Sequence, residues 1–326
     1  MNFLNLYFGF ERRFSLLPLF LIVSIAAQTA GAKEILPPDV YQNTLRIRME
    51  LERIRQATGK PRELRPEINI RHALPREVFF QAITFWVKSV RLCKEFRRAG
   101  HYYATKIEIT PPDKVVPGDV WVLTENARGR LSCVRRELGL EPLKQVPLLD
   151  NSKNPSDVFR SIVQANRQIN LILSYKFAPG DVFAIVSLTN EYMREILDRV
   201  APGWRADAGL TPAYVKQKQP IDVFRQLIKC LSVIRQIAEI SDIPILDFDP
   251  DYSQEILPSD VYDMASLVFS EVRYFSTLAG VRKRYRLRSR EDKVPSDVFQ
   301  QARWLEDLLI EFEQRTRHRT NWRASQ

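Results

Sequence analysis

The chain has 326 residues, of which 45% are hydrophobic and 27% charged, and its formal net charge is +10 at pH 7. This hydrophobic content excludes a chain that is disordered by composition, and the length allows two domains of about 150 residues each. The positive charge favours association with anionic surfaces but carries no information about the fold.

Residues 1–32 have the pattern of an export signal. A basic segment, ERRF, precedes the apolar run SLLPLFLIVSIAA, and Ala30, Gly31 and Ala32 then form an A-x-A cleavage pattern. The apolar run is shorter than the roughly 20 residues that a transmembrane helix requires. We therefore expect cleavage before Lys33 and a bacterial periplasmic or secreted protein with no membrane span; an uncleaved anchor is the alternative.

A five-residue motif recurs eight times: Pro, any residue, an acid, Val and an aromatic residue. The copies begin at Pro37, Pro75, Pro117, Pro155, Pro179, Pro220, Pro258 and Pro295. Pro suits the first turn of a helix, where a backbone N–H has no intrahelical partner, and an acid there can accept from free N–H groups. We interpret these acids as structural helix-start residues: Asp39, Glu77, Asp119, Asp157, Asp181, Asp222, Asp260 and Asp297.

Behind each motif, apolar residues recur at alternating steps of four and three. In the fourth copy they are Val158, Ile162, Ala165, Ile169 and Ile172. This spacing predicts an amphipathic helix of about six turns with a heptad-like apolar seam. The chain is therefore predicted to be all-α, with eight amphipathic helices.

The motif spacing predicts two units. Successive motif prolines are 37 to 42 residues apart, except for the 24 residues between Pro155 and Pro179. We expect a duplicated four-helix unit, with one copy at 33–178 and the second at 179–326. A continuous α-solenoid of eight repeats is the alternative.

The linkers inside each unit are long. Helix–helix connections of 2–8 residues are usual in up-down bundles, and about 15 extended residues can span about 50 Å, more than the length of each helix. We expect semi-extended linkers that run back along the helices, so that successive helices are parallel, and keep the up-down bundle as the alternative.

Cys93, Cys133 and Cys230 each lie in a predicted helix, and no C-x-x-C motif is present. We interpret them as buried thiols that pack like small apolar side chains. A Cys93–Cys133 disulfide is the alternative, because both cysteines lie late in adjacent repeats and exported proteins form disulfides.

A basic run at 282–290 is the candidate site for an anionic partner. Its cations are Arg282, Lys283, Arg284, Arg286, Arg288 and Arg290. Such a run suits lipid headgroups or an anionic envelope polymer, with nucleic acid less expected outside the cytoplasm. A solvated linker is the simpler interpretation.

Two other groups of residues are weaker candidates. Phe85, Trp86, Phe96, Tyr102 and Tyr103 could line a small-molecule pocket, although helical spacing favours core positions. Four helix-start acids gathered at one end of a parallel unit could hold Ca²⁺, although capping explains them without a metal.

The motif set favours binding over catalysis. The chain contains no H-E-x-x-H, G-x-S-x-G or phosphate-binding glycine motif. We expect a non-enzymatic, cofactor-free exported protein that binds a protein partner or an anionic envelope component as a scaffold, with self-association possible through the seams. The alternative is a periplasmic, sensor-like helical bundle that binds a small molecule.

Overall fold

The structure, a computed structural model, describes residues 34–62, 64–96, 112–174, 177–201, 212–249, 255–282, 292–317 and 322–323. The predicted export segment lies outside these residues. The described part is all-α apart from two three-residue strands, which confirms the predicted fold class.

Eight described helices begin at the eight motif prolines. They are α1 (Pro37–Ala57), α2 (Pro75–Phe96), α3 (Pro117–Glu137), α4 (Pro155–Ile172), α5 (Pro179–Val200), α6 (Pro220–Ile240), α7 (Pro258–Leu278) and α8 (Pro295–Thr316). The strands are β1 (Asn69–Arg71) and β2 (Asp247–Asp249), and one 3₁₀ turn covers Pro112–Lys114. The apolar seams form the core: Ile162, Ala165 and Ile169 are at most 1% exposed.

The helices pack in two sets of four with the same pattern of contacts. In the first set, α1 and α2 each pack against α3 and α4; in the second, α5 and α6 each pack against α7 and α8. One hydrogen bond also recurs: Ala73 N–H, just before α2, donates to Ser156 of α4 (3.0 Å), and Lys218 N–H, just before α6, donates to Ser296 of α8 (3.1 Å). The two sets therefore share one arrangement of helices and one linker contact.

Helices α1 to α4 run parallel, as the linker lengths predicted. The first-turn residues of all four line one shallow depression: Pro37, Val40, Pro75, Val78, Pro117, Val120, Pro155 and Val158. Their amino-terminal ends therefore lie at the same end of the set.

Helix α2 of the first set and helix α7 of the second run in opposite directions where the two sets meet. Arg76, early in α2, pairs with Glu271, late in α7, whereas Lys88, late in α2, pairs with Asp263, early in α7. The linker strands pair antiparallel beside this contact, with Ile70 opposite Phe248. Residues Ile35–Gln326 form one compact unit.

The cysteine interpretation was wrong for two of the three residues. Cys93 and Cys133 form a disulfide between α2 and α3, with 5.9 Å between their Cα atoms, whereas Cys230 is a buried free thiol. The bridge forms because α2 and α3 pack side by side and run parallel, so cysteines late in both helices lie opposite each other.

Candidate functional site

A cavity of about 440 Å³ lies where the two sets meet. Helices α2 and α4 of the first set, helices α6 and α7 of the second, and the linker residues 65–69, 248 and 255–256 form its walls. Its apolar lining consists of Phe159, Val163, Phe224, Phe248, Met264, Leu267 and the linker isoleucines Ile68 and Ile256. The apolar lining therefore comes partly from the helices and partly from linker segments, whose positions the helical periodicity does not predict.

The ion pair between Lys88 and Asp263 forms part of the polar wall. The ammonium of Lys88 is fully buried and donates to Asp263 Oδ1, whereas the Asp263 side chain keeps 21% of its surface accessible and lines the cavity. Burial raises the pKa of Asp263 and lowers the pKa of Lys88, and each charge opposes the shift of the other. The rings of Phe177 and Tyr262 lie 5.3 and 5.9 Å from the ammonium.

Asp260 connects the helix-start motif to this cavity. Its Oδ2 accepts from the backbone N–H of Leu257 at 2.9 Å, as a first-turn acid should, and its Oδ1 accepts from Arg65 at 2.8 Å. Both members of this ion pair line the cavity. A residue predicted to be only structural is thus also part of the candidate site.

The remaining charged residues lie on the linkers and on α4. Glu67 accepts from Gln164 at 2.8 Å, and Arg167 donates to the carbonyl of Pro66 at 2.7 Å. Glu255 is exposed. Among the described residues, the lining contains four carboxylates (Glu67, Glu255, Asp260 and Asp263) and two guanidinium groups (Arg65 and Arg167), so the described lining is negative although the whole chain is basic.

A second buried polar cluster lies between α2 and α7, beside the candidate site. Arg76 contacts the carboxylates of Glu77 at 3.0 Å and Glu271 at 3.5 Å, and its guanidinium stacks 3.9 Å above the Tyr274 ring. Both glutamates are at most 1% exposed. Burial raises the pKa of Glu77, and the neighbouring Glu271 raises it further; burial also raises the pKa of Glu271. Two buried carboxylates, those of Glu77 and Glu271, therefore share one buried cation, Arg76.

The eight helix-start acids all make the same local contact. Each accepts a hydrogen bond from the backbone N–H three residues before it, at the residue preceding the motif proline. Across the described ranges, no group of three or more His, Cys, Asp or Glu side chains is arranged to hold a metal ion. Each acid therefore accepts a hydrogen bond at the start of its own helix.

None of the other predicted candidates that the structure describes lines the cavity. Phe85 is a core residue at 1% exposure, Trp86 and Phe96 pack against that core, and Tyr102 and Tyr103 lie outside the described residues. Of the basic run, only Arg282 is described; Lys283, Arg284, Arg286, Arg288 and Arg290 lie outside.

Sequence reasoning missed Lys88 and Asp263. The available signal was a lysine inside the apolar run AITFWVKSV, where a charged side chain requires a buried partner. The partner lies 175 residues away, and the repeat pattern does not identify it.

No described helix has both the length and the apolar character needed to cross a membrane. No protein-family model, curated protein or solved structure matches this chain.

Proposed function

We propose that this protein binds a small organic molecule in the cavity between its two sets of helices. The proposal depends on one observation, the 440 Å³ cavity, whose lining combines apolar and aromatic side chains with several polar and charged groups. Small-molecule sites commonly have volumes of roughly 300–1,000 Å³ and this kind of lining. The protein would act as a non-enzymatic, sensor-like binding protein.

We further propose that binding takes place outside the cytoplasm. The amino-terminal sequence has the pattern of an export signal. The Cys93–Cys133 disulfide supports this location, because structural disulfides persist mainly in oxidising compartments.

A thermal-shift screen of small organic compounds against three proteins tests the binding proposal. The proteins are the wild type, Val163→Trp, which fills the cavity from α4, and Val122→Trp, which adds the same side chain at an exposed site on α3. A ligand at a hundredfold excess over its Kd should raise the Tm of the wild type and of Val122→Trp by about 5 °C. It should not raise the Tm of Val163→Trp.

Two results would contradict the binding proposal. In one, no compound in a chemically broad screen stabilises the wild type. In the other, compounds stabilise Val163→Trp as strongly as Val122→Trp, which would place their binding outside the cavity.

A scaffold for a protein partner or an anionic envelope component is the second candidate function. The basic run at 282–290 favours it, because clustered Lys and Arg side chains attract anionic surfaces. Sedimentation with vesicles rich in anionic lipid tests the lipid form of this proposal. Replacing the cations from Lys283 to Arg290 with Gln should abolish binding, and unchanged binding would remove the run from consideration.

A further inference from the structure

We propose that the ligand of the cavity is a small organic cation, an amine carried on an apolar body. This inference rests on the proposed function and adds the chemical class of the ligand.

The cations that line the cavity are already engaged by protein groups. Arg65 holds Asp260 at 2.8 Å, and Arg167 donates to the Pro66 carbonyl at 2.7 Å. The acids are less well matched: Glu67 has a neutral hydrogen-bond partner, Gln164, with Arg48 as a more distant attraction. Glu255 has no charged partner among the residues that the structure describes. The unmatched charge is therefore negative, which favours a positively charged ligand.

Asp263 is placed to receive a second cation from the cavity. Lys88 approaches it from the buried side, and the carboxylate also accepts a long hydrogen bond from Asn170, at 3.4 Å. A carboxylate has about four acceptor positions, so Lys88 and Asn170 leave acceptor capacity on the accessible side. An ammonium group in the cavity can use this capacity.

The aromatic walls suit the same ligand. Phe159, Phe224 and Phe248 line the cavity together with Met264 and Leu267. An aromatic face attracts a cation through the ring quadrupole, and the aliphatic residues bury an apolar body. An anion would meet four carboxylates and these aromatic rings, and the two guanidinium groups already pair with Asp260 and with the Pro66 carbonyl.

The side chain of Gln81 is a buried polar group in the cavity wall that has few hydrogen-bond partners, and this observation does not involve charge. This side chain lines the cavity, is 4% exposed, and makes one hydrogen bond among the described residues, a long one of 3.5 Å with Asn166. An amide has both donor and acceptor groups, so most of the hydrogen-bonding capacity of this buried side chain is unused. A polar ligand atom beside the charged group would satisfy it.

Titration calorimetry with three matched probes tests the inference. The probes are phenylbutylamine, phenylbutanol and phenylbutyrate, which share an apolar body and are cationic, neutral and anionic at pH 7. We expect the amine to bind the wild type about tenfold or more tightly than either of the others. Added salt should weaken the amine more than the alcohol.

Variants of the exposed acids that line the cavity test which charges produce the preference for the amine. Glu67 and Glu255 are exposed, so Glu67→Gln/Glu255→Gln should fold normally and should reduce the preference for the amine several-fold. Glu137→Gln, at an exposed position of α3, is the matched control and should leave the preference unchanged.

Failure of this inference can be distinguished from failure of the proposed function. If all three probes bind equally, and Val163→Trp abolishes binding, the cavity binds small molecules but does not select a cation. Tighter binding of phenylbutyrate would overturn the inference in the same way. If no probe binds, the cation proposal fails, and the compound screen alone decides the proposed function.

Discussion

Lys88 of α2 and Asp263 of α7 form an ion pair that is fully buried on the lysine side and open to the cavity on the aspartate side. This one contact joins the two sets of helices and also forms part of the candidate binding site. We therefore expect folding and the proposed ligand binding to depend on the same pair of side chains.

Removing one member of this pair should destabilise the protein. Lys88→Met leaves the Asp263 carboxylate without its counter-ion and should lower the free energy of unfolding by about 3 kcal/mol. Lys88→Met/Asp263→Leu should recover part of this loss, because no unpaired charge remains. Arg315→Met, which removes one half of an exposed ion pair with Glu311, should cost less than about 1 kcal/mol. Urea denaturation measures all three, and a loss for Lys88→Met as small as for Arg315→Met would contradict the prediction.

The two sets of helices should unfold in one transition. The Arg76–Glu271 and Lys88–Asp263 pairs and the paired strands β1 and β2 all cross between the sets. Neither set can therefore unfold without breaking these contacts to the other set. Hydrogen exchange monitored by mass spectrometry in increasing urea should give the same midpoint for peptides from α1–α4 and from α5–α8.

Limited proteolysis can contradict the prediction that the two sets unfold in one transition. The sequence spacing places a unit boundary at Ala178–Pro179. A stable fragment that ends there, or two separate exchange midpoints, would show that the units unfold independently.

The disulfide should contribute substantially to stability. It closes a loop with a sequence separation of 40 residues, for which loop entropy predicts about 4 kcal/mol. Cys93→Ser/Cys133→Ser should therefore lower the free energy of unfolding by several kcal/mol relative to the oxidised wild type. Alkylation of the denatured protein provides a direct count: one thiol, Cys230, should react before reduction and three after it. Three reactive thiols before reduction, in protein exported to an oxidising compartment, would contradict the assignment.

Because of the two buried acids beside Arg76, we expect the free energy of unfolding to decrease as the pH rises. Burial raises the pKa of both Glu77 and Glu271 in the folded protein above the usual value of 4.5. The folded state therefore holds more protons than the unfolded chain as the pH rises past 4.5, and the free energy of unfolding falls until the raised pKa values are passed.

A neutral replacement should reduce this pH dependence. Glu271→Gln leaves one cation, Arg76, with one buried acid, Glu77, so the slope of the free energy of unfolding against pH should become shallower. Glu239→Gln, at an exposed position of α6, should keep the wild-type slope. Identical slopes for all three proteins between pH 5 and pH 8 would show that this pair does not titrate as described.

The local structure was predictable because each helix carries its own start signal. The motif prolines coincide with the first residue of every described helix, and each motif acid caps its own helix end. The parallel arrangement of α1–α4 was also predictable, because the linkers are long enough to run back along the helices.

The packing partners and the cavity were not predictable from the same patterns. All eight motifs and seams are alike, so nothing in them specifies that α1 packs against α3 and α4 or that α2 meets α7. Half of the cavity wall comes from linker residues such as Glu67 and Glu255, which have no periodicity. Cys93 and Cys133 could be paired only once their two helices were known to lie side by side.

Methionine methyl spectra provide the most direct test of ligand binding in the cavity. Met264 lines the cavity, whereas Met49 and Met193 lie on α1 and α5 away from it and serve as internal controls. In protein labelled with ¹³C at the methionine methyl groups, a compound from the thermal-shift screen should shift the Met264 resonance and leave the other two unchanged. Shifts confined to Met49 or Met193, or no shift from any compound that stabilises the protein, would contradict a binding site between the two sets of helices.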